Sequence, residues 1–551
     1  NNFLSISKVC KENNDKKICN TDQNIKLNDA QKNILKEILS SPDRMYLIHG
    51  VTGSGKTEIY LRLADAMMKK NKSSIILVPE ISLTPQMIER FKQKFGENIA
   101  VFHSRLSDGE KFREWVKVKE NKVSIAIGAR SAIFLPFNNL GLIVIDEEHE
   151  LSYKSDSDPK YDAREIAEIK SRIDNCKVVL GSATPSVGTY YKCSTGEIRL
   201  LEMKNRICEK PMPEVEVVDM REELANNNRS IFSSKLYNGI KKSLADNDQI
   251  MLFINRRGYS PFVSCRKCGY VFKCKYCDVP LTYHAKQNVL FCHYCGRKYK
   301  AVNICPKCKS RYVKYFGVGT EKIEKEVNEI FPDAKTLRMD YDTTRTKNSF
   351  YEIYKSFKDG KADILIGTQM IAKGLDFKNV NLVGILAADL SLNIPDYRSG
   401  ERTFELITQA SGRSGRGKKR GNVIVQTYSP SNYSILCAVN NDYRGFYNYE
   451  ISLRKRMKNP PFSRIFLINL SCKDEKRLVN AINSIKDNVV KIKNDCVEVL
   501  GPSPSAISFL KGNYRWRLIL KGNMDQEYML AVKNIVYKII KIDYNDIRIC
   551  L

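Results

Sequence analysis

Met45-Tyr46-Leu47-Ile48, then Gly50-Val51-Thr52-Gly53-Ser54-Gly55-Lys56-Thr57, then a helix-forming run over 58–69: this succession decides the fold. It is G-x-x-x-x-G-K-T between a strand and a helix, the setting in which the spacing has a mechanism. The backbone N–H groups of Gly53 to Thr57 lie at a helix N-terminus, where unpaired donors and the helix dipole attract phosphate. Lys56 is expected to reach the β- and γ-phosphates of ATP, and Thr57 to hold Mg²⁺. Gly50, Val51, Thr52, Gly53, Ser54, Gly55, Lys56 and Thr57 are thus the expected nucleotide-binding residues.

The next segments supply a parallel sheet. Residues 74–78 and 123–127 read as strands, ending in segments 79–84 and Gly128-Ala129-Arg130-Ser131. Residues 141–145 form a continuous apolar run, as in a strand buried on both faces. It delivers Asp146-Glu147-Glu148-His149 at its C-terminal end, where open α/β sheets bind ligands. Adjacent carboxylates after a strand are often an ordinary loop. Downstream of a phosphate loop, Asp146 is expected to bind Mg²⁺ and Glu147 to polarise the attacking water. A strand over 177–180 ends in Gly181-Ser182-Ala183-Thr184, whose small hydroxyl residues suit a link between the carboxylates and a moving partner lobe.

The second half repeats the alternation without a phosphate loop. Strands are expected over 250–254, 336–339 and 364–366. A helix over 401–411 ends in Gln409-Ala410-Ser411-Gly412-Arg413-Ser414-Gly415-Arg416. If a second lobe closes on nucleotide, Arg413 and Arg416 are its cations for the γ-phosphate charge.

Eight of the seventeen cysteines fall in four Cys-x-x-Cys pairs: Cys265/Cys268, Cys274/Cys277, Cys292/Cys295 and Cys305/Cys308. Four pairs make two closed Cys₄ sites for two structural Zn²⁺, with no open coordination position for catalysis. Redox pairs, by contrast, usually come singly beside a βαβ unit. Nested pairing spans residues 278–291 and 269–304 and is favoured; sequential pairing leaves loops short against the usual spacing, and crossed pairing stays open. His293 competes poorly with a complete thiolate set.

Lys and Arg total 91 against 62 Asp and Glu, a formal charge of +29. That excess suits a polyanion, most simply nucleic acid, though a lysine-rich composition serving solubility explains it as well. No run approaches the ~18 apolar residues of a membrane-spanning helix. The remaining cysteines are scattered, as in a reducing cytoplasm.

The ordered set Gly-x₄-Gly-Lys-Thr, Asp-Glu-Glu-His, Ser-Ala-Thr and Gln-x-x-Gly-Arg-x-Gly-Arg resembles the superfamily 2 helicases. The segments 50–58, 78–86, 255–259, 317–321 and 367–374, with eight cysteines between the lobes, narrow the resemblance to the PriA family of bacterial primosomal (replication-restart) helicases. It covers residues 25–551. The resemblance implies a 3′→5′ DNA helicase that recognises stalled or branched forks and initiates primosome assembly. It implies ATP and Mg²⁺ at Lys56, Thr57, Asp146, Glu147, Arg413 and Arg416, an adenine contact at Gln31, and nested zinc ligands. It implies, as partners, forked and single-stranded DNA, single-stranded-DNA-binding protein and helicase-loading proteins, in a monomeric cytoplasmic protein. The family's aromatic-rich coupling loop keeps Tyr153 and Tyr161 here, with Ser155-Asp156-Ser157-Asp158-Pro159 between them. The family's usual His after Met-x-Ala-Lys-Gly is replaced by Leu375-Asp376.

The expected architecture is α/β: two RecA-like parallel-sheet lobes, a two-zinc insertion in the second, and a C-terminal α+β domain. Residues 1–24 read as a linker or the remnant of a missing N-terminal DNA-binding region. Lobe 1 is expected over 25–230, lobe 2 over 231–440 with the insertion at 262–312, and the last domain over 441–551. There, Arg515, Trp516 and Arg517 read equally as a DNA-contacting strand and as an exposed basic strand with a core tryptophan. Two other functions stay open: an assembly platform built on the zinc module, and an RNA remodeller. ATPase rates with forked DNA, single-stranded DNA and RNA test the RNA reading, and a Cys274→Ser variant that keeps unwinding but loses partner loading would favour the platform.

Overall fold

The computed structural model describes residues 26–79, 85–103, 106–155, 159–206, 213–254, 263–275, 280–284, 288–292, 296–315, 319–344, 349–372, 375, 377–394, 396–415, 419–492 and 495–550. Residues 1–24, Cys277, His293, Cys295 and Arg416 lie outside them, as do segments 80–84 and 255–259.

The first lobe is built on seven parallel strands: β1 (Met45–Gly50), β2 (Ser73–Leu77), β3 (Ile99–Phe102), β4 (Ile125–Gly128), β5 (Leu140–Asp146), β6 (Lys177–Ser182) and β7 (Arg199–Met203). Their order is β3-β4-β2-β5-β6-β1-β7. The apolar runs read from sequence occupy the centre, where both faces are covered: Leu47, Ile143, Ile145 and Val178 are fully buried. The edge strands β3 and β7 escaped the sequence reading. β3 is only four residues long, and β7 mixes charge with apolar positions, because one of its edges faces no partner strand.

The second sheet holds β8 (Glu214–Asp219) and β9 (Gln249–Ile254). The zinc insertion contributes β10 (Val263–Cys265), β11 (Thr282–His284), β12 (Val289–Phe291), β13 (Lys298–Lys300) and β14 (Val313–Tyr315). The sheet resumes with β15 (Thr336–Met339), β16 (Ile364–Gly367), β17 (Val380–Leu386) and β18 (Asn422–Thr427), in the order β15-β16-β9-β17-β18-β8. β8 pairs in parallel with β18 over its whole length. It therefore belongs to the second sheet, although it lies on the first-lobe side of the 230/231 division expected from sequence. Its Glu-Val-Glu-Val alternation is that of an edge strand, which carries no label of the sheet it joins.

The C-terminal domain is an antiparallel sheet of β19 (Arg464–Cys472), β20 (Val497–Leu510), β21 (Asn513–Gly522) and β22 (Arg548–Cys550), ordered β20-β21-β19-β22. Helices Glu475–Lys491 and Gln526–Asp543 supply Leu478, Ile482, Ile485, Val532 and Val536 to its core. Trp516 is partly buried against that core, and its indole N–H donates to Glu475 (3.3 Å). Among the described residues, no helix is long and apolar enough to cross a membrane.

Helix Tyr443–Arg456, expected in the last domain, instead packs between the lobes. Tyr443 meets Tyr190 of lobe 1 at 5.0 Å, and Phe446 stacks on Phe404 of lobe 2 at 4.4 Å. Beneath these rings lies a buried charge cluster. Arg454, 3% exposed, donates to Glu450 and to Glu401, both at 2.8 Å. The other oxygen of Glu401 accepts from the Val187 amide at 2.6 Å, at the start of lobe-1 helix Val187–Ser194. Burial alone would raise the Glu401 carboxyl; Arg454 and the Val187 amide hold it below its usual range.

Arg454→Ala leaves two buried carboxylates without their cation. It is expected to lower stability by about 3–5 kcal/mol in denaturant unfolding. His49, against Tyr443 at 4.8 Å, yields a pH prediction. Burial lowers its imidazole from 6.5 to about 4, so the folded chain resists protonation. Stability from this residue is complete above the unfolded pKa and is lost as pH falls through the window between about 6.5 and 4. Between pH 7 and 5 His49→Gln should lose about 2 kcal/mol less stability than the parent chain.

Candidate nucleotide site and metal centre

The phosphate loop runs from β1 into helix Lys56–Lys69. Gly53 and Gly55 adopt φ of 85° and 84°, the left-handed backbone that only glycine enters without strain. Gly50 is needed for room: a Cβ there would lie 2.7 Å from the Ser54 hydroxyl. That hydroxyl is buried and has no hydrogen-bond partner among the described residues. Lys56 Nζ donates to the Gly50 carbonyl at 2.7 Å, which curls its ammonium over the loop. Gln31 braces the loop from behind. Its Oε1 accepts from the Asn28 amide (3.0 Å), capping helix Asp29–Ser40, and its Nε2 reaches the Ser54 carbonyl (3.4 Å). Both ends of its amide are therefore engaged with the chain.

β5 carries Asp146 to the edge beside this loop. Burial and the neighbouring Glu147 raise the Asp146 carboxyl to about 6, against the opposing pull of Lys56. Its Oδ1 accepts from Tyr60 (3.0 Å), and its main-chain oxygen lies 2.5 Å from the Tyr153 hydroxyl. Glu147 has φ of 46°, a sparsely populated conformation for a side-chain-bearing residue. Its Oε2 is buried with no hydrogen-bond partner among the described residues, an acceptor suited to a water.

The next two residues are struts. Glu148, fully buried, accepts from the Ser186 amide (2.6 Å) and the Thr189 hydroxyl (2.9 Å). His149 lies between lobes: Nδ1 is 2.7 Å from Ser182 Oγ and Nε2 is 2.7 Å from Gln409 Nε2. With the Gln409 amide donating, Nε2 accepts and Nδ1–H donates to Ser182, which also accepts from the Thr184 amide (3.0 Å). Ser182 thus connects the carboxylate end to the partner lobe, as its small hydroxyl suggested. His149 and Gln409 were not among the expected site residues, although both stand inside the motifs that identified the site.

Gly412 of lobe 2 presses on the phosphate loop: a Cβ there would lie 3.1 Å from Thr52. Arg413 donates to the Leu375 carbonyl at 2.6 Å. The described residues that flank segment 156–158 after His149 are held at several points. The Tyr153 hydroxyl also lies 3.2 Å from the Leu77 carbonyl, Tyr161 packs edge-on against Phe134 (4.8 Å), and Arg130 donates to the Lys154 carbonyl (2.8 Å). An interlobe cavity of about 320 Å³ flanks the loop, lined among others by His49, Thr52, Phe404 and Tyr443.

In the insertion, the Sγ atoms of Cys265, Cys268, Cys305 and Cys308 all lie within 4.8 Å of one another. Cys265 is 3.6 Å from Cys308, and Cys268 is 3.6 Å from Cys305. Four thiolates about 2.3 Å from a tetrahedral Zn²⁺ stand about 3.8 Å apart, so this set fits zinc. The outer pairs meet, as nesting requires. Of the inner pairs, Cys274 and Cys292 share a small core with Phe272, Leu281 and Leu290, while Cys277 and Cys295 lie outside the described residues. Cys305→Ser should release zinc from the outer site, measured as metal per chain, and leave the lobes folded; Cys496→Ser should retain it all.

Residues 28–192 match the DEAD/DEAH box helicase family, residues 274–300 the PriA DNA helicase Cys-rich region domain, and residues 455–546 the primosomal protein N C-terminal domain. The chain is 47% identical over 506 residues to the replication restart protein PriA of Bacillus subtilis, covering 91% of this chain and 62% of that protein. It is 42% identical over 512 residues to that of Synechocystis, covering 91% and 62%. Against that of Treponema pallidum it is 40% identical over 497 residues, covering 90% and 75%. The chain spans about three fifths of the length of the first two relatives. Identity of this depth through both lobes, the cysteine insertion and the C-terminal sheet makes this chain a member of the replication restart protein PriA family.

Proposed function

We propose that the chain is an ATP-dependent 3′→5′ DNA helicase that recognises stalled or branched replication forks and initiates primosome assembly. The observation that carries the reading is the line Ser182–His149–Gln409, which joins the carboxylate end of lobe 1 to a lobe-2 helix beside the phosphate loop. With such a link, closing the lobes on nucleotide and aligning the carboxylates are one event. Family membership supports the polarity, the fork preference and the partners.

In this reading the amides of Gly53 to Thr57 hold the phosphates, and Lys56 exchanges the Gly50 carbonyl for β- and γ-phosphate oxygens. Thr57 and Asp146 hold Mg²⁺, which screens phosphate charge when bound. Glu147, through Oε2, orients a water in line with the γ-phosphorus. As the new P–O bond forms, the bond to the bridging oxygen breaks and ADP leaves; Arg413 and Arg416 meet the charge on the transferring group. Gln31 holds the loop and faces the adenine side. Release of phosphate lets the lobes part, and alternating grip advances the chain along one strand. Zinc fills the outer Cys₄ site and a second site of Cys274, Cys277, Cys292 and Cys295, keeping the insertion rigid. The chain acts as a cytoplasmic monomer on forked and single-stranded DNA, with single-stranded-DNA-binding protein and helicase-loading proteins as partners.

Lys56→Ala is expected to abolish DNA-stimulated ATP hydrolysis while DNA binding, driven by phosphate contacts and weakened by salt, persists. Unchanged turnover in that variant removes the motor assignment. Stimulation by RNA equal to that by forked DNA removes the DNA assignment, and displacement of strands only from 5′-tailed duplexes reverses the polarity.

A further inference from the structure

Tyr60 lies on the phosphate-loop helix three residues after Thr57, so one helical turn separates the two side chains. Its ring is fully buried in the lobe-1 core, a place phenylalanine would fill equally well. The hydroxyl is what distinguishes it. It donates to Asp146 Oδ1 at 3.0 Å, across 86 residues of sequence. The fold gives up a side chain to make room for it. Gly181 on β6 is paired directly with Asp146 on β5, and a Cβ on Gly181 would lie 1.7 Å from the Tyr60 oxygen. Any other residue at 181 would drive the phenol away from the carboxylate. The main-chain oxygen of Asp146 is held independently by Tyr153. Backbone and one carboxylate oxygen are thus both fixed, which leaves Oδ2 for a metal.

We propose that Tyr60 is a positioning residue for metal binding: its hydroxyl engages Asp146 Oδ1, sets the carboxylate plane, and ties it to the helix that carries Thr57. The inference rests on the proposed role of Asp146 as a Mg²⁺ ligand. One helix then carries the Thr57 hydroxyl and also orients the carboxylate, so the spacing of the two metal-binding groups is set by a single rigid element. Tyr60 touches neither nucleotide nor water in this role and acts only through Asp146.

The test uses the full chain and a fluorescent N-methylanthraniloyl ADP, titrated with Mg²⁺ and, separately, in excess EDTA. In Tyr60→Phe the Mg²⁺ concentration for half-maximal tight binding should rise about tenfold, the scale of one hydrogen bond to a charged group. Metal-free ADP binding should stay within about twofold of the parent, since the phosphate loop itself is untouched. In an Asp146→Asn background, Tyr60→Phe should add no further shift, because the oriented carboxylate is already gone. An unchanged Mg²⁺ midpoint in Tyr60→Phe overturns the proposal and makes Tyr60 a core residue only. A parallel loss of metal-free binding also overturns it, by showing that the loop was displaced. If the parent chain itself binds the nucleotide without regard to Mg²⁺, the metal role of Asp146 fails and the inference falls with it.

Discussion

The two lobes share one carboxylate. Glu401 accepts from the Val187 amide of lobe 1 through one oxygen and from Arg454 through the other. In a buried setting such a charge persists only with full compensation, so all three contributors must be in place together. The helix bearing Glu401 also bears Gln409, eight residues and about 12 Å along its axis. It therefore touches lobe 1 twice, at the start of helix Val187–Ser194 and at His149. Those contact points are themselves joined, because Glu148 caps Ser186 and Thr189 of that helix. Of the three residues that follow Asp146, Glu147 keeps a buried acceptor without a hydrogen-bond partner among the described residues, Glu148 anchors a helix, and His149 reaches the other lobe. A shift of one lobe against the other cannot leave the carboxylate edge unchanged.

Arg454 sits in the helix that leads to the C-terminal domain, so the same charge cluster reaches beyond the two lobes. The zinc insertion makes a second connection. Gly269, after the first knuckle, packs against the Tyr428 carbonyl of lobe 2; Gly296, after a later one, packs against Pro502 and Ser503 of the C-terminal sheet. Both glycines have positive φ, 71° and 80°, and both leave no room for a Cβ or little of it. Among the described residues, turns that follow cysteine knuckles are thus two of the points at which the insertion meets its neighbours.

Much of this was legible in the residues. The phosphate-loop spacing, the carboxylates Asp146 and Glu147 at a strand end and the cysteine pairs were readable, because each pattern is complete within a single strand–turn–helix or knuckle. Loop length favoured nesting, and the outer knuckles do meet at Cys265, Cys268, Cys305 and Cys308. What escaped was whatever lacked a local signature. β8 reads as an edge strand and could have joined either sheet; its hydrogen bonds to β18 settle the matter. Helix Tyr443–Arg456 follows lobe 2 in sequence and was assigned to the last domain, but its aromatic face buries against both lobes. Trp516 stood equally for stacking and for core, and the packing of the C-terminal sheet engages it.

By itself the sequence determined the chemical inventory: a phosphate-loop spacing, a carboxylate pair at a strand end, cysteine pairs spaced for zinc, and in the first two lobes a strand–helix alternation that suits parallel sheets. These are short-range consequences of backbone geometry and ligand spacing. Only the tertiary structure decided how that inventory is coupled. The His149–Gln409 contact spans 260 residues, and the Tyr60–Asp146 contact spans 86. Neither residue in either pair carries a local mark of its partner. Each contact exists because two elements are packed at a fixed separation, and that separation is set by the cores between them.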